Sequence, residues 1–276
     1  MTRIIAIANQ KGGTGTEDGT GKTTTAINLA AGLARGISNG KRVLLVDIDP
    51  QANATVTLLG IPFAAGPRQE GVFTIHEVLI EDDVETGEAI QTVALPAGAT
   101  LLVPAGELDV LPAHQTLAAA ELQLVSMFER ERRLRRALGP IQDRYHYVLI
   151  DCPPSLGLLT FNALMAANEV LIPVEPGLYP LIGVGLLAST IQQVTVANPG
   201  LRITGVIPTR VDRTVVARET QAQLEANYGQ LMLPAIPQRA AIREAQAESQ
   251  DIFIFDQGGD GARAYACLLK EVMSRG

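Results

Sequence analysis

Asn9-Gln10-Lys11-Gly12-Gly13-Thr14-Gly15-Thr16-Glu17-Asp18-Gly19-Thr20-Gly21-Lys22-Thr23-Thr24-Thr25 is the stretch on which the reading of this chain turns. It follows Ile4–Ala8, an apolar run of strand length, and it opens the Ala-rich helical run Thr23–Ala34. Strand, glycine loop, Lys-Thr and helix, in that order, make a phosphate-binding loop. Glycines let successive backbone N–H groups turn inward around phosphate oxygens, and the helix N-terminus adds partial positive charge. In such a loop Lys22 contacts β- and γ-phosphates and the Thr23 hydroxyl ligates Mg²⁺.

The spacing departs from the usual G-x-x-x-x-G-K-T template, which requires glycine at position 16 and finds Thr16. If Thr16–Gly21 were removed, the two ends would join as Lys-Gly-Gly-Thr-Gly-Lys-Thr-Thr-Thr. Two arrangements accommodate the six extra residues. They bulge outward with Lys11 held in place, since six residues reach up to roughly 20 Å and can equally fold back. Alternatively Thr16–Thr23 forms the loop and Lys11 is displaced. Glu17 and Asp18 facing phosphate would each cost about 1 kcal/mol per charge pair at contact even in bulk water, which favours the outward bulge.

Two further apolar runs end in carboxylates. Val43-Leu44-Leu45-Val46 delivers Asp47-Ile48-Asp49-Pro50-Gln51-Ala52-Asn53, and Tyr147-Val148-Leu149-Ile150 delivers Asp151-Cys152-Pro153-Pro154. Ligands of open α/β sheets bind at the carboxyl edge of the strands, where these acids fall. A strand-terminal aspartate can orient water for phosphoryl displacement or hold a metal-bound water, although either can also cap a turn.

Around these motifs, short apolar runs alternate with helical ones. Leu101–Val103, Val170–Val174, Ile203–Ile207 and Leu231–Ile236 join the runs above as strands, separated by helices over Leu117–Leu138, Leu181–Val196, Val215–Tyr228 and Ala262–Met273. The pattern predicts an α/β fold, a doubly wound and mostly parallel sheet with helices on both faces. Only 4% of residues are aromatic, so the core rests on Ala, Val, Ile and Leu, as in buried parallel strands. One domain is expected over residues 1–276. Between about 60 and 98 lies a surface excursion with a short helix near Thr74–Ile80 and a solvated acidic run, Glu81-Asp82-Asp83-Val84-Glu85.

Cys152 and Cys267 form no CxxC pair and read as small buried side chains, which excludes a cysteine-ligated cluster. The net charge of −7 excludes a uniformly basic surface and leaves room for a local basic face. No apolar run has the length of a membrane span, so a cytoplasmic protein is expected.

The Lys-Gly-Gly loop, D-x-D-P-Q and D-x-P-P, in that order, resemble the deviant Walker A ATPases of the ParA/MinD superfamily, and ParA partition ATPases most of all. The likeness continues through Pro173-Val174-Glu175-Pro176, Gly205–Asp212 and Ile236-Pro237-Gln238-Arg239. It implies a P-loop NTPase fold of the SIMIBI kind with ATP and Mg²⁺ as cofactors. Lys11 would reach a partner's phosphates across a nucleotide-sandwich dimer, Lys22 the phosphates of its own nucleotide, and Asp49 would position the attacking water. Gly12, Gly13, Gly19, Thr20, Gly21 and Thr24 would line the phosphates, with Thr23, Asp47 and Asp151 around the metal. Thr209, Arg210 and Pro237 would lie near adenine.

The implied cycle is ATP-driven homodimerisation, non-specific DNA binding near the nucleoid and hydrolysis stimulated by a ParB-like partner. Arg213, Arg218 and Arg243 are the candidate phosphate contacts to DNA among six arginines that also include Arg202, Arg210 and Arg239. The chain opens directly on its first strand, which suggests the short ParA type. One alternative is a MinD-like membrane-surface ATPase, although Ala264–Arg275 reads as a docked core helix rather than a basic anchor. Another is a nucleotide-binding module whose hydrolysis the insertion impairs. An amide-forming ligase relative would leave D-x-D-P-Q unexplained.

Overall fold

Alternation along each central strand sends side chains to two buried faces, and this determines the layering. Ile4 and Ala6, Leu44 and Val46, and Val148 and Ile150 enter one core, while Ile5 and Ile7, Val43 and Leu45, and Tyr147 and Leu149 enter the other. The computed structural model describes residues 2–10, 20–36, 41–66, 71–99, 103–177 and 180–275.

Seven strands form one sheet: β1 (Arg3–Ile7), β2 (Val43–Asp47), β3 (Gln91–Leu95), β4 (Gly106–Leu111), β5 (Tyr147–Asp151), β6 (Glu169–Val174) and β7 (Arg202–Pro208). Their order is β3-β4-β2-β5-β1-β6-β7, and every pair is parallel except β3 with β4. The helix Lys22–Ala34 covers one face with Ala240–Ala247, Ile252–Phe255 and Asp260–Ser274. Helices Ile75–Ile80, Leu117–Leu124, Arg133–Leu138, Leu158–Ala166 and Pro180–Thr195 cover the other. The doubly wound, mostly parallel α/β fold is therefore present.

Several boundaries differ from the expectation. Leu101 and Leu102 lie outside the described residues, Val103 sits in a bend, and the strand of this region is β4, at Gly106–Leu111. β3 falls inside the excursion, where Thr74 caps the helix Ile75–Ile80 through a capping box with Glu77. The acidic run is solvated at Asp82, which is exposed and bridges Arg133 and Arg136.

The helix expected over Leu117–Leu138 is instead two, Leu117–Leu124 and Arg133–Leu138, and Glu129 in the turn between them adopts φ 49°, which an α-helix cannot continue through. Leu231–Ile236 is not a strand. Leu233 and Ile236 are buried and their N–H groups donate to the Val206 and Pro208 carbonyls of β7, yet the segment forms just the isolated Val206–Met232 bridge among the described residues, and Pro234 lacks the N–H a ladder needs. Cys152 is buried as expected, whereas Cys267 is exposed on the C-terminal helix. That helix docks through Tyr265, Leu268, Leu269 and Val272, all buried.

Candidate nucleotide-binding site

β5 runs between β1 and β2, so the carboxyl ends of three neighbouring strands meet at one edge. Asp47 closes β2 and Asp151 closes β5, and the two are register partners with no solvent exposure. The Asp47 carboxylate accepts hydrogen bonds from the Thr55 N–H and hydroxyl, each at 2.8 Å, and from the Asp49 N–H at 3.2 Å. Thr55 reaches it because Ala52, at φ 52°, turns the chain out of Pro50-Gln51 into the helix Asn53–Leu59. The same Thr55 hydroxyl accepts from the Ala113 N–H just beyond β4, so Asp47 is braced from its neighbouring strand.

Burial pushes the Asp47 carboxyl up to about 6, against the pull of Thr55. Asp49, also buried, is raised by desolvation as well, opposed by the Gln51 N–H and the charge of Lys22. Asp151 is raised well above the ordinary carboxylate range, first by desolvation and then by the charge of Asp47, with Thr23 and Lys22 acting the other way. Neither Asp151 oxygen accepts a hydrogen bond from a described residue.

A fully buried carboxylate without a donor among the described residues, beside a second carboxylate and a threonine hydroxyl, is a hard oxygen set of the kind Mg²⁺ takes. No cluster of three or more His, Cys, Asp or Glu ligands occurs among the described residues. Mg²⁺ takes one or two carboxylates and fills its remaining positions with water and substrate phosphate.

Lys22 begins the helix Lys22–Ala34 and is buried, with Nζ 3.4 Å from the Thr20 hydroxyl. Gly21 caps this helix at φ 81°, in the left-handed region where glycine carries no Cβ penalty. No acid occupies the first turn, so the helix N-terminus is open to an anion. Lys11, Gly12, Gly13 and Gly19 lie outside the described residues.

Beside Gly21 a cleft is lined by Thr24, Thr209, Arg210, Pro237 and Tyr265, with Arg243 and Gln246 at its side. Val211 pairs with Pro237 in an isolated parallel bridge, bringing β7 and the Pro237 segment together here. The Thr209 hydroxyl donates to the Thr20 carbonyl at 2.8 Å, and Arg210 lies 3.6 Å from Glu175. The Thr24 hydroxyl meets Gln246 at 3.0 Å. Sequence reasoning did not single out Thr55, Gln246 or Tyr265, whose partners are remote or on a facing helix. The only cue was their presence within or near the quoted motifs.

Of the six arginines, Arg213, Arg218 and Arg243 are exposed and form no ion pair among the described residues. Arg239 is paired with Asp260, and Arg202 lies 3.8 Å from Glu169 at the opposite edge of the sheet.

A family model described as an AAA domain matches residues 2–203. The sporulation initiation inhibitor protein Soj of Bacillus subtilis is 40% identical over the whole of both chains. The chromosome partitioning protein ParA of Myxococcus xanthus is 39% identical over 99% of this chain and 88% of its own. The chain belongs to the ParA/Soj family. Among solved structures, cobyrinic acid a,c-diamide synthase of Mycobacterium smegmatis with a bound ATP analogue and magnesium is 34% identical. The likeness covers 99% of this chain and 95% of that one at a TM-score of 0.75. ParA/Soj membership agrees with the acids at the ends of β2 and β5, and the amide-synthase neighbour shares the fold and 34% of the residues.

Proposed function

We propose that this ParA/Soj-family chain binds Mg-ATP at the β1–β2–β5 edge and hydrolyses it to drive segregation of DNA or positioning of cargo. The carrying observation is the buried Asp47–Asp151 pair facing Lys22 and Thr23 at a helix N-terminus free of acids. In this reading Lys22 neutralises the β- and γ-phosphates and Thr23, Asp47 and Asp151 hold Mg²⁺ with its waters. The bound ion would supply charge stabilisation as the phosphoryl group leaves.

Asp49 orients the attacking water, a task that needs position more than a particular pKa. The cleft by Arg210 and Pro237 takes the adenine. Lys11 completes the phosphate site in a nucleotide-dependent homodimer, and the dimer binds DNA non-specifically through Arg213, Arg218 and Arg243. A ParB-like protein stimulates turnover. Family membership and the three exposed arginines, without an ion pair among the described residues, support these finer steps.

The test is nucleotide titration with and without Mg²⁺, followed by ATP turnover with and without DNA, on the native chain and on one lacking Thr16–Gly21. Mg-dependent binding with DNA-linked turnover is expected. Absence of nucleotide binding in the native chain would end the ATPase reading. Binding without turnover, restored by the deletion, would identify a nucleotide module restrained by its insertion.

A further inference from the structure

We infer that Thr209 is a positioning residue of the phosphate loop, anchoring the Thr20–Gly21 turn and through it Lys22 from the end of β7. Its hydroxyl donates to the Thr20 carbonyl at 2.8 Å across 189 positions of sequence, and the residue is only 2% exposed. A threonine hydroxyl carries one proton, so a donor committed to Thr20 is not offered to a nucleobase. The anchor point is itself rigid. The Thr209 N–H donates to the Val174 carbonyl at 2.8 Å, continuing the β6–β7 ladder that ends with Val174 opposite Pro208.

Packing reinforces the hydrogen bond. A Cβ on Gly21 would stand 3.4 Å from the Thr209 Cβ, so the threonine side chain lies directly against the left-handed turn. The Gly21 carbonyl in turn accepts the Thr25 N–H at 2.9 Å, the first turn of the following helix. Thr20 is therefore held by Thr209 through its carbonyl, while its hydroxyl lies 3.4 Å from Lys22 Nζ.

The anchor sits downstream of most of the extra loop residues. It orients Lys22 without requiring the preceding loop to have the template length. This consequence for phosphate binding rests on the Mg-ATP reading above, but the anchor itself does not.

Three variants test it: Thr209→Val removes the donor at nearly constant shape, Thr209→Ala removes it without placing a methyl against the carbonyl, and Thr209→Ser keeps it. Hydrogen exchange over residues 20–26 in nucleotide-free protein should quicken in the Val and Ala variants and match the native rate in the Ser variant. Mg-ATP affinity should fall about tenfold in Val and Ala, the size expected of one hydrogen bond, while adenosine affinity stays within about twofold. Native exchange and native Mg-ATP affinity in both Val and Ala would overturn the inference. Equal losses for Mg-ATP and adenosine would overturn it as well, making Thr209 a base contact. If the native chain binds no Mg-ATP, the ATPase reading fails, and the nucleotide-free exchange still decides the anchor.

Discussion

Asp47 and Asp151 stand directly opposite each other at the ends of β2 and β5, both without solvent exposure, and only one of the two has hydrogen-bond donors among the described residues. Two like charges at this separation in a desolvated place raise each other's pKa, so without a cation the pair is a cost to the folded chain. The site thus carries stored electrostatic strain that a divalent ion would relieve.

The strain makes stability depend on pH. A carboxyl whose pKa is raised by folding stabilises the folded chain below the ordinary carboxylate range, and that contribution is lost as pH climbs through the folded value. With Asp47 at about 6, the nucleotide-free protein should lose on the order of 3 kcal/mol between pH 4 and 7.5 from this group alone. Asp82 and Asp260, held low by Arg136 and Arg239, change stability in the opposite sense at lower pH. Thermal unfolding in a chelating buffer from pH 5 to 7.5 should show a falling Tm, and Mg-ATP should flatten the fall. A Tm that rises across this range without ligand would contradict the electrostatic account.

Asp151→Asn removes a charge that has no hydrogen-bond donor among the described residues and gives Asp47 an amide neighbour. The nucleotide-free variant should be more stable by about 1–3 kcal/mol at pH 7.5, while Mg-dependent ATP affinity drops at least about tenfold. Urea unfolding and nucleotide titration read the two effects separately. A variant less stable than the native chain would show that Asp151 is not strained.

Far from this edge, Arg35 lies fully buried against Asp251 at 2.5 Å and also donates to the Pro96 and Pro104 carbonyls. Asp251 in turn caps the helix Ile252–Phe255. Arg35→Met leaves that carboxylate buried without its partner, and a loss of about 3–5 kcal/mol is expected by urea unfolding. The paired change with Asp251→Asn should recover part of the loss. Additive losses would show that the two residues are not coupled.

Arg213 and Arg218 flank the start of the helix Val215–Tyr228, both exposed. Charge reversal of both to Glu should weaken DNA binding by more than about tenfold near physiological salt and shallow the salt dependence, since each phosphate contact contributes about 0.9 to the slope for duplex DNA. Arg202→Glu, at the opposite sheet edge beside Glu169, serves as the control. Equal losses in both proteins would indicate general repulsion rather than a local face.

Much of the fold is legible in local pattern. Ile4–Ala8, Val43–Val46 and Tyr147–Ile150 announce strands because each is apolar on both faces, as a central parallel strand is. β3 escapes that reading because it is the antiparallel edge strand, where Gln91-Thr92-Val93-Ala94 keeps side chains partly or fully exposed, and β4 because its first residues, Gly106-Glu107, are not apolar. Leu231–Ile236 misleads in the other direction, since Leu233 is buried by packing over Gly205, where a Cβ would come within 2.0 Å of it. Glu129, in the turn between Leu117–Leu124 and Arg133–Leu138, takes a positive φ that its side chain does not announce.

By itself the sequence determined the strand–loop–helix order of the phosphate site, the acids at two strand ends, and the family those motifs match. Period and composition act within a few residues, and these features need nothing longer. Only the tertiary structure decided that β5 enters between β1 and β2, which sets Asp151 opposite Asp47, and that Thr209 reaches back to Thr20. Strand order and such distant hydrogen bonds follow from how whole faces pack, and no local stretch of sequence encodes them alone.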